Sequence, residues 1–179
     1  MLKIENTALI IVDIQGNLAL AMHEKELLFR NVRKLIKGIQ VLGIPILWTE
    51  QIPQKLGPTI PEIADLMSGI HPVSKLSFSC CQDETFLRAL KALDRKQILI
   101  SGIEAHICVY QTTADLIDLG HEVQVVTDAV SSRNIEDKLI GLQRMRDSGA
   151  SLTSVETSLF ELLKTAEAKH FKEILNIVK

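Results

Sequence analysis

The sequence predicts an α/β protein built on a parallel β-sheet, and three observations support this class. Continuous apolar segments recur along the chain, as in strands that are buried on both faces. The segments between them repeat apolar residues every three or four positions, as amphipathic helices do. The two kinds of segment alternate, which is typical of β-α-β units with right-handed crossovers.

The predicted strands are short segments rich in Ile and Val. They cover residues 8–13, 45–50, 97–103 and 122–130, and a further strand is expected near 151–154. Runs of apolar residues in these segments predict burial on both faces of the sheet.

The predicted helices lie between these strands. Shared apolar faces are formed by Val32, Leu35, Ile36 and Ile39 within about 24–42, by Phe86, Leu87, Leu90 and Leu93, and by Ile135, Leu139, Leu142 and Met145. Asp83 and Glu84 suit the positive end of the second helix, and Asn134 is a candidate N-cap for the third. Gly149 stands where the third helix is expected to end. Two short helices are expected to complete the chain.

Residues 51–74 interrupt this alternation. The segment contains two glycines and the prolines Pro53, Pro58, Pro61 and Pro72. We therefore predict a long irregular excursion over the sheet, and such segments in a small domain are usually functional or disordered.

Composition narrows the class of protein. The 179 residues suggest one domain, 1–179, and the net charge of −2 comes without a basic block, which argues against nucleic acid or a membrane as partner. No secretory signal is recognisable, and no segment approaches the ~20 apolar residues of a membrane-spanning helix. Cys80, Cys81 and Cys108 are an odd number with two adjacent, which fits a reducing compartment. We therefore expect a soluble cytoplasmic protein.

Three residues with chemical potential are expected beyond the carboxyl ends of the strands, where parallel sheets bind ligands. Asp13 closes the first strand, Cys108 opens the helix after 97–103, and Lys75 follows the excursion. A thiol at a helix N-terminus should have a lowered pKa, a carboxylate can accept its proton, and an ammonium can stabilise the anionic site. If the strand of Lys75 lies at the sheet edge, we expect a loop to carry it in.

Each of these residues has a plainer interpretation when it is taken singly. An Asp at a strand end often caps a turn, and a Lys is usually solvated. A Cys on a helix is more often part of the core than a nucleophile. Only the combination indicates a nucleophilic site.

Several motifs together resemble one known family. Residues 102–109, Gly-Ile-Glu-Ala-His-Ile-Cys-Val, resemble the nucleophile motif of the isochorismatase-like cysteine hydrolases. "ALIIVDIQ" resembles their first strand with its catalytic Asp, and "VSKLSFS" resembles the segment with their catalytic Lys. The stretches "TEQIPQKLGPT", "SGIEAHICV" and "TDAVSSR" look most like the subgroup called isochorismatase domain-containing proteins. The resemblance covers essentially the whole chain.

This resemblance implies both a fold and a site. The fold is a three-layer α/β/α arrangement with a six-stranded, mostly parallel, Rossmann-like sheet. The site is a catalytic triad of Asp13, Lys75 and Cys108, with a cis peptide bond between Ile103 and Glu104. The backbone N–H groups of Glu104 and Cys108 would form the oxyanion hole.

The histidines of the chain do not indicate a metal site. Zinc-dependent nicotinamidases of this superfamily carry an Asp-x-His pair after the second strand, whereas residues 49–52 here read Thr-Glu-Gln-Ile. His71 is interpreted as an ordinary loop residue, so no metal and no cofactor are expected. His106 lies two residues before Cys108, and residues two apart on a helix do not face each other, which argues against a Cys–His pair.

Other residues are weaker candidates. Gln15, Trp48 and Phe78 are predicted to line the substrate pocket, although Trp48 and Phe78 could equally belong to the core. Cys80 and Cys81 are interpreted as structural.

We therefore predict a small-molecule hydrolase that works through a thioester-type intermediate on Cys108. Isochorismate-cleaving relatives can dispense with the cysteine, so its presence favours an amide, carbamoyl or related C–N bond. Two alternatives stay open, a non-catalytic scaffold that retains the pocket, and a dinucleotide-dependent oxidoreductase, which lacks the expected G-x-G-x-x-G where "DIQGNL" stands. Relatives commonly form rings or smaller oligomers, so a homo-oligomer is expected, and the amphipathic segment 166–179 could pack on its own domain or on a neighbour.

Overall fold

A six-stranded parallel β-sheet forms the centre of the structure, a computed structural model that describes residues 1–179. The strands are β1 (Thr7–Val12), β2 (Ile46–Gln51), β3 (Val73–Lys75), β4 (Gln97–Ile103), β5 (Glu122–Ser131) and β6 (Ser151–Thr153). Their order is β3-β2-β1-β4-β5-β6, and every neighbouring pair is parallel. The predicted parallel sheet is confirmed, and its strand order reverses between β1 and β4.

Nine α-helices accompany the sheet. They are α1 (Gly16–Leu20), α2 (Lys25–Val41), α3 (Pro53–Leu56), α4 (Pro61–Ala64), α5 (Glu84–Leu93), α6 (Tyr110–Asp118), α7 (Ile135–Asp147), α8 (Val155–Leu163) and α9 (Phe171–Val178). Helices α5, α6 and α7 cover one face of the sheet, and α2, α8 and α9 cover the other, which confirms the three-layer arrangement. None of them combines the length and the apolar character that a membrane crossing requires.

The two faces of the sheet enter two separate cores. In β1, Leu9 and Ile11 belong to the core under α2, whereas Ala8, Ile10 and Val12 belong to the core under α5, α6 and α7. All five side chains are almost completely buried. A strand covered on both faces has no position for a solvated side chain, which explains the continuous apolar runs in the sequence.

The helix-end signals are partly used as predicted. Asp83 caps α5, because its carboxylate accepts hydrogen bonds of 2.8 and 3.0 Å from N–H groups in the first turn. Asn134 stands at the N-cap position of α7, but its amide instead donates to Asp137 at 3.1 Å. Gly149 follows the end of α7 with a φ of +106°, a conformation that glycine adopts without a steric penalty.

Residues 51–74 are more regular than predicted. They contain the short helices α3 and α4, a 3₁₀ turn at Asp65–Met67, and the start of the edge strand β3. Pro53 and Pro61 occupy the first turns of α3 and α4, where a missing N–H leaves no helical hydrogen bond unmade. A three-residue strand is too short to produce a recognisable apolar pattern, so the apolar runs do not give the bounds of β3.

The C-terminal helix α9 packs on its own domain. Ile174 is completely buried in the same core as α2 and α8. Phe171 contacts Phe160 of α8 edge to face, with ring centroids 6.2 Å apart. The apolar face of the 166–179 segment is therefore largely used within the chain.

Candidate active site

Three strand ends bring the predicted side chains to one edge of the sheet. Asp13 directly follows β1, and Lys75 is the last residue of β3. Cys108 lies in a π-helical turn, Ala105–Val109, which one residue separates from the end of β4. This edge is formed by the carboxyl ends of the strands, and β1 and β4 are the pair at which strand order reverses. No loop is needed to carry Lys75 in, because its own side chain reaches from the edge strand to Asp13.

Asp13 and Lys75 form a buried ion pair. Lys75 Nζ lies 2.6 Å from Asp13 Oδ2, and the exposed fractions of the two side chains are 0% and 2%. The ammonium also donates to the carbonyls of Ser77 at 3.0 Å and Phe78 at 3.2 Å, so all three of its protons have acceptors. Burial alone would lower the pKa of Lys75, but neighbouring acidic groups, Asp13 first, more than offset it and raise the pKa above its ordinary value.

The second carboxylate oxygen of Asp13 is held by β2. Thr49 Oγ1 donates to Asp13 Oδ1 at 2.7 Å, and the Asp13 N–H donates to the Thr49 carbonyl at 3.3 Å. Asp13 has a φ of +50°, in the left-handed region that Asp and Asn enter more readily than most residues. The carboxylate is therefore fixed at both oxygens, by an ammonium on one side and a hydroxyl on the other.

Cys108 is a buried thiol rather than a thiol at the start of an α-helix. Its turn is closed by the Val109 N–H, which donates to Glu104 O five residues back at 3.2 Å. Only 6% of Cys108 is exposed, and its Sγ lies 3.9 Å from Gln51 Oε1.

The expected lowering of the pKa of Cys108 is not found. Burial raises the pKa of the thiol above its ordinary value, the negative charge of Asp13 raises it further, and the positive charge of Lys75 only partly opposes them. The helix-terminus argument fails because it ignores desolvation, which the sequence does not reveal. At neutral pH the cluster therefore contains a neutral thiol and a charged Lys75 ammonium.

Gln51 is the member of the site that sequence reasoning missed. Its Nε2 donates to the carbonyls of Leu76 at 3.2 Å and Ser77 at 3.3 Å, while its Oε1 faces the Cys108 thiol. It therefore links the end of β2 to the loop that holds the Lys75 ammonium. The available signal is its position at the end of a predicted strand, within the stretch "TEQIPQKLGPT" that resembles the subgroup.

Gln15 supports Gln51 and does not present a free amide to a ligand. Its Oε1 accepts the Gln51 N–H at 2.6 Å, and its Nε2 donates to Gln51 O at 3.2 Å and to Gly57 O at 2.7 Å. Gln15 is completely buried. Its effect on the cluster is therefore to fix the end of β2.

The structure does not bring Trp48 to the cluster and brings only the backbone of Phe78. Trp48 lies in the core on the opposite face of the sheet, where its indole N–H donates to Ile70 O at 3.3 Å. Successive residues of a strand point to opposite faces, so Trp48 and Thr49 cannot both face the thiol. Phe78 supplies its carbonyl to Lys75, while its side chain is 54% exposed beside the site.

The backbone before Cys108 presents an unpaired donor. The Ile103–Glu104 peptide bond is cis, and the Glu104 N–H has no hydrogen-bond acceptor within the protein. The Glu104 carboxylate is directed to Arg133, whose Nε lies 3.0 Å from Oε1. An unpaired backbone N–H at the start of the turn that holds Cys108 is suited to stabilise negative charge on an oxygen that reaches it.

The remaining candidates make no hydrogen bond to Asp13, Lys75 or Cys108. His106 Nδ1 lies 2.9 Å from Ser132 Oγ, and His71 is exposed. Cys80 is completely buried 3.6 Å from Thr49 Oγ1, and burial, followed by the charge of Asp13, raises its pKa to about 11. Cys81 is buried nearby and is also a free thiol. No three His, Cys, Asp or Glu residues are grouped so that they could hold a metal ion.

Known proteins resemble this chain in sequence and in fold. Residues 7–157 match the isochorismatase domain family. Isochorismatase domain-containing protein 2 of Danio rerio is 36% identical over 178 residues, which cover 99% of this chain and 89% of that protein.

Solved structures agree with this similarity. The MAR1 ribonuclease from Caenorhabditis elegans matches with a TM-score of 0.93 and 34% identity, over 99% of this chain and 91% of that chain. The YcaC gene product from Escherichia coli, described as an octameric hydrolase of unknown specificity, matches with a TM-score of 0.90 and 24% identity, over 99% of this chain and 94% of that chain.

Proposed function

The chain belongs to the isochorismatase family, and from that premise we propose that it hydrolyses an amide, carbamoyl or related C–N bond of a small molecule, with Cys108 as the nucleophile. The observation that carries the proposal is the buried Asp13–Lys75 ion pair, which two separate strands bring to the same edge as the turn of Cys108. A buried ion pair of this kind costs desolvation energy and adds little to stability, so a chemical role accounts for it better than a structural one.

In the proposed first step, Asp13 accepts the thiol proton as Cys108 Sγ attacks the substrate carbonyl carbon. A C–S bond forms and the carbonyl electron pair moves onto oxygen, where the Glu104 N–H stabilises the charge. The C–N bond then breaks, the leaving amine takes the proton from Asp13, and a thioester remains on Cys108. Because the resting thiol is neutral, proton transfer to Asp13 has to accompany the attack.

In the second step water hydrolyses the thioester. The oxygen of the water molecule attacks the acyl carbon while Asp13 takes a proton from that water. The C–S bond then breaks, and the departing Cys108 sulfur receives the proton from Asp13. Lys75 stays protonated throughout, since its pKa is raised, and its ammonium stays paired with Asp13 between the two steps.

A second candidate function is a small-molecule binding or scaffold protein that retains the pocket without turnover. Two observations favour it. Cys108 is only 6% exposed with a raised pKa, and the amides of Gln15 and Gln51 already have partners within the protein.

Hydrolysis of a panel of small amides, ureas and carbamoyl compounds distinguishes the two functions. We expect turnover of at least one compound, loss of it in Cys108→Ala, and a decrease of roughly 10²–10⁴-fold in Asp13→Asn. Cys81→Ala is the matched control, because it removes a buried thiol outside the cluster. An RNA oligonucleotide belongs in the panel because a nematode relative is described as a ribonuclease.

One outcome decides against the hydrolase, and another decides against Cys108 as its nucleophile. If compounds of the panel bind saturably but none is hydrolysed, the scaffold is favoured. If Cys108→Ala retains turnover, a thioester on Cys108 is excluded.

The effects of residues that act as a unit are not additive. The double variant Lys75→Met with Cys108→Ala should therefore lose little more turnover than Cys108→Ala alone.

We also propose that the protein is a cytoplasmic homo-oligomer with a small-molecule substrate. The octameric E. coli relative supports self-association, and the three free thiols support a reducing compartment.

A further inference from the structure

A separate cleft lies at the other end of the sheet from Cys108. It has a volume of about 670 Å³, within the range of small-molecule sites. It is formed by segments that precede β1, β4 and β5 and by the ends of α5 and α6, including Leu87, Leu90, Lys91, Arg95, Leu119 and His121.

Two buried polar atoms beside this cleft lack a well-formed hydrogen bond. Arg95 Nε and His121 Nδ1 are inaccessible to solvent and make no hydrogen bond of good geometry, although the His121 ring lies against the backbone of Arg95 and Lys96. Only one other side-chain polar atom in the protein, Thr59 Oγ1, shares this condition. An unpaired buried polar group costs about 1–3 kcal/mol, and folded proteins contain few of them. The other guanidinium nitrogens of Arg95 and the second ring nitrogen of His121 also make no hydrogen bond within the protein, and they are not closed off from solvent, so these are the atoms that a ligand in the cleft reaches.

The charges around the cleft favour an anion. The cleft is lined by three positively charged side chains, Lys91, Arg95 and Lys96, and by one carboxylate, Asp94. None of these four residues takes part in an ion pair of the protein. Helices α5 and α6 end on this side, and their carbonyl groups account for part of the attraction for lysines. These carbonyl groups do not accept a hydrogen bond from the Arg95 Nε–H. A guanidinium is the side chain best suited to bind a planar or tetrahedral oxyanion.

An apolar wall completes the cleft. Leu87 and Leu90 project from α5, and Leu119 follows α6 with 56% of its surface exposed. Burial lowers the pKa of His121, so at neutral pH its imidazole is uncharged and forms part of this less polar surface.

We propose that this cleft binds a small organic anion, with a carboxylate or phosphate group at Arg95 and His121 and an apolar body against Leu87, Leu90 and Leu119. This site is separate from the hydrolase reaction proposed for Cys108 and does not depend on it.

Binding of benzoate, phenyl phosphate and the neutral analogue benzyl alcohol tests the proposal. Each compound is titrated into the full chain with the Cys108→Ala substitution, so that no reaction at Cys108 contributes. Binding is measured by calorimetry and by the NMR signals of the His121 ring. We expect saturable binding of at least one anion with a shift of the His121 signals, and the stronger anion identifies the head group. Benzyl alcohol should bind at least tenfold more weakly.

Arg95→Met should weaken anion binding at least tenfold, and Lys91→Met, at the exposed rim, should weaken it less. Arg30→Met is the matched control, because it removes one exposed positive charge from α2, away from the cleft. If Arg95→Met does not fold, the proposal is tested by weaker anion binding in Lys91→Met and by the shift of the His121 signals on binding. Equal binding by Arg95→Met and Arg30→Met, equal binding of benzyl alcohol, or no saturable binding would overturn the proposal.

Discussion

The carboxylate of Asp13 has opposite effects on Cys108 at rest and during reaction. At rest its negative charge raises the pKa of the thiol and so keeps the proton on sulfur. During reaction the same carboxylate is the group able to take that proton. The ion pair with Lys75 is part of both effects, because it holds the Asp13 carboxylate in a buried place beside a positive charge.

Replacement of Asp13 should therefore lower the pKa of Cys108 even though it removes the base. In Asp13→Asn the negative charge is lost and the positive charge of Lys75 remains, so the thiol should ionise at a lower pH while turnover falls. The measurement is the rate of Cys108 alkylation by iodoacetamide against pH, with mass mapping of the modified residue. Asp147→Asn, at the exposed end of α7, is the control and should leave the titration unchanged. A rise in the titration midpoint of Asp13→Asn would contradict the electrostatic account.

The sequence predicts residues whose chemistry is unusual for their position and misses those that act through geometry. Asp13 and Cys108 stand out because a carboxylate and a thiol follow apolar strands, and Lys75 stands out because it follows the proline-rich excursion within a segment that resembles a family motif. Thr49 and Gln51 have ordinary side chains, and their contacts depend on which strands are neighbours. The pKa of Cys108 was wrongly expected to be low, because burial cannot be read from the spacing of residues.

At the scale of elements, the site depends on how α7 packs against the turn of Cys108. Gly141 of α7 lies directly on this turn, and a Cβ there would stand 2.6 Å from Ala105 O and 2.7 Å from His106 N. Gly38 of α2 is equally crowded, but its neighbour is the flexible side chain of Leu159, also at 2.6 Å.

Gly141→Ala should therefore impair the site more than the fold. The backbone of the turn must move to admit the methyl group, at a cost of about 1–3 kcal/mol in the free energy of unfolding, and Cys108 moves with it. Gly38→Ala can be accommodated by Leu159 and should keep full activity. Urea denaturation measures the stabilities, and turnover per folded molecule measures the site. Equal turnover of the two variants would show that α7 does not position the turn.

The elements divide into those that the sequence predicts and those that it does not. Apolar runs correctly predicted β1, β2, β4 and β5, because central strands are covered on both faces. The edge strand β3 has three residues, of which only Lys75 is buried, so it carries no such pattern. Its position is nevertheless essential to the cluster, since it places Lys75 within reach of Asp13.

At the scale of the whole molecule, the prediction concerns self-association. We expect light scattering at micromolar concentration to give a mass that is a multiple of the 19.9 kDa chain. Several large apolar side chains remain more than half exposed, including Leu139 and Ile140 on α7 and Leu76 near the cluster, and a neighbouring copy would cover such surface. A mass of one chain that persists over a tenfold concentration range would contradict the proposal.

The position of Trp48 gives the protein an internal optical reporter of folding. It is the only tryptophan in the chain, and it is 5% exposed in the core on the opposite face of the sheet from Cys108. Its emission should therefore be blue-shifted in the folded protein and should move to longer wavelength only when that core opens to water. Alkylation of Cys108 should leave the spectrum unchanged, so fluorescence can separate a variant with a damaged site from a variant that has unfolded.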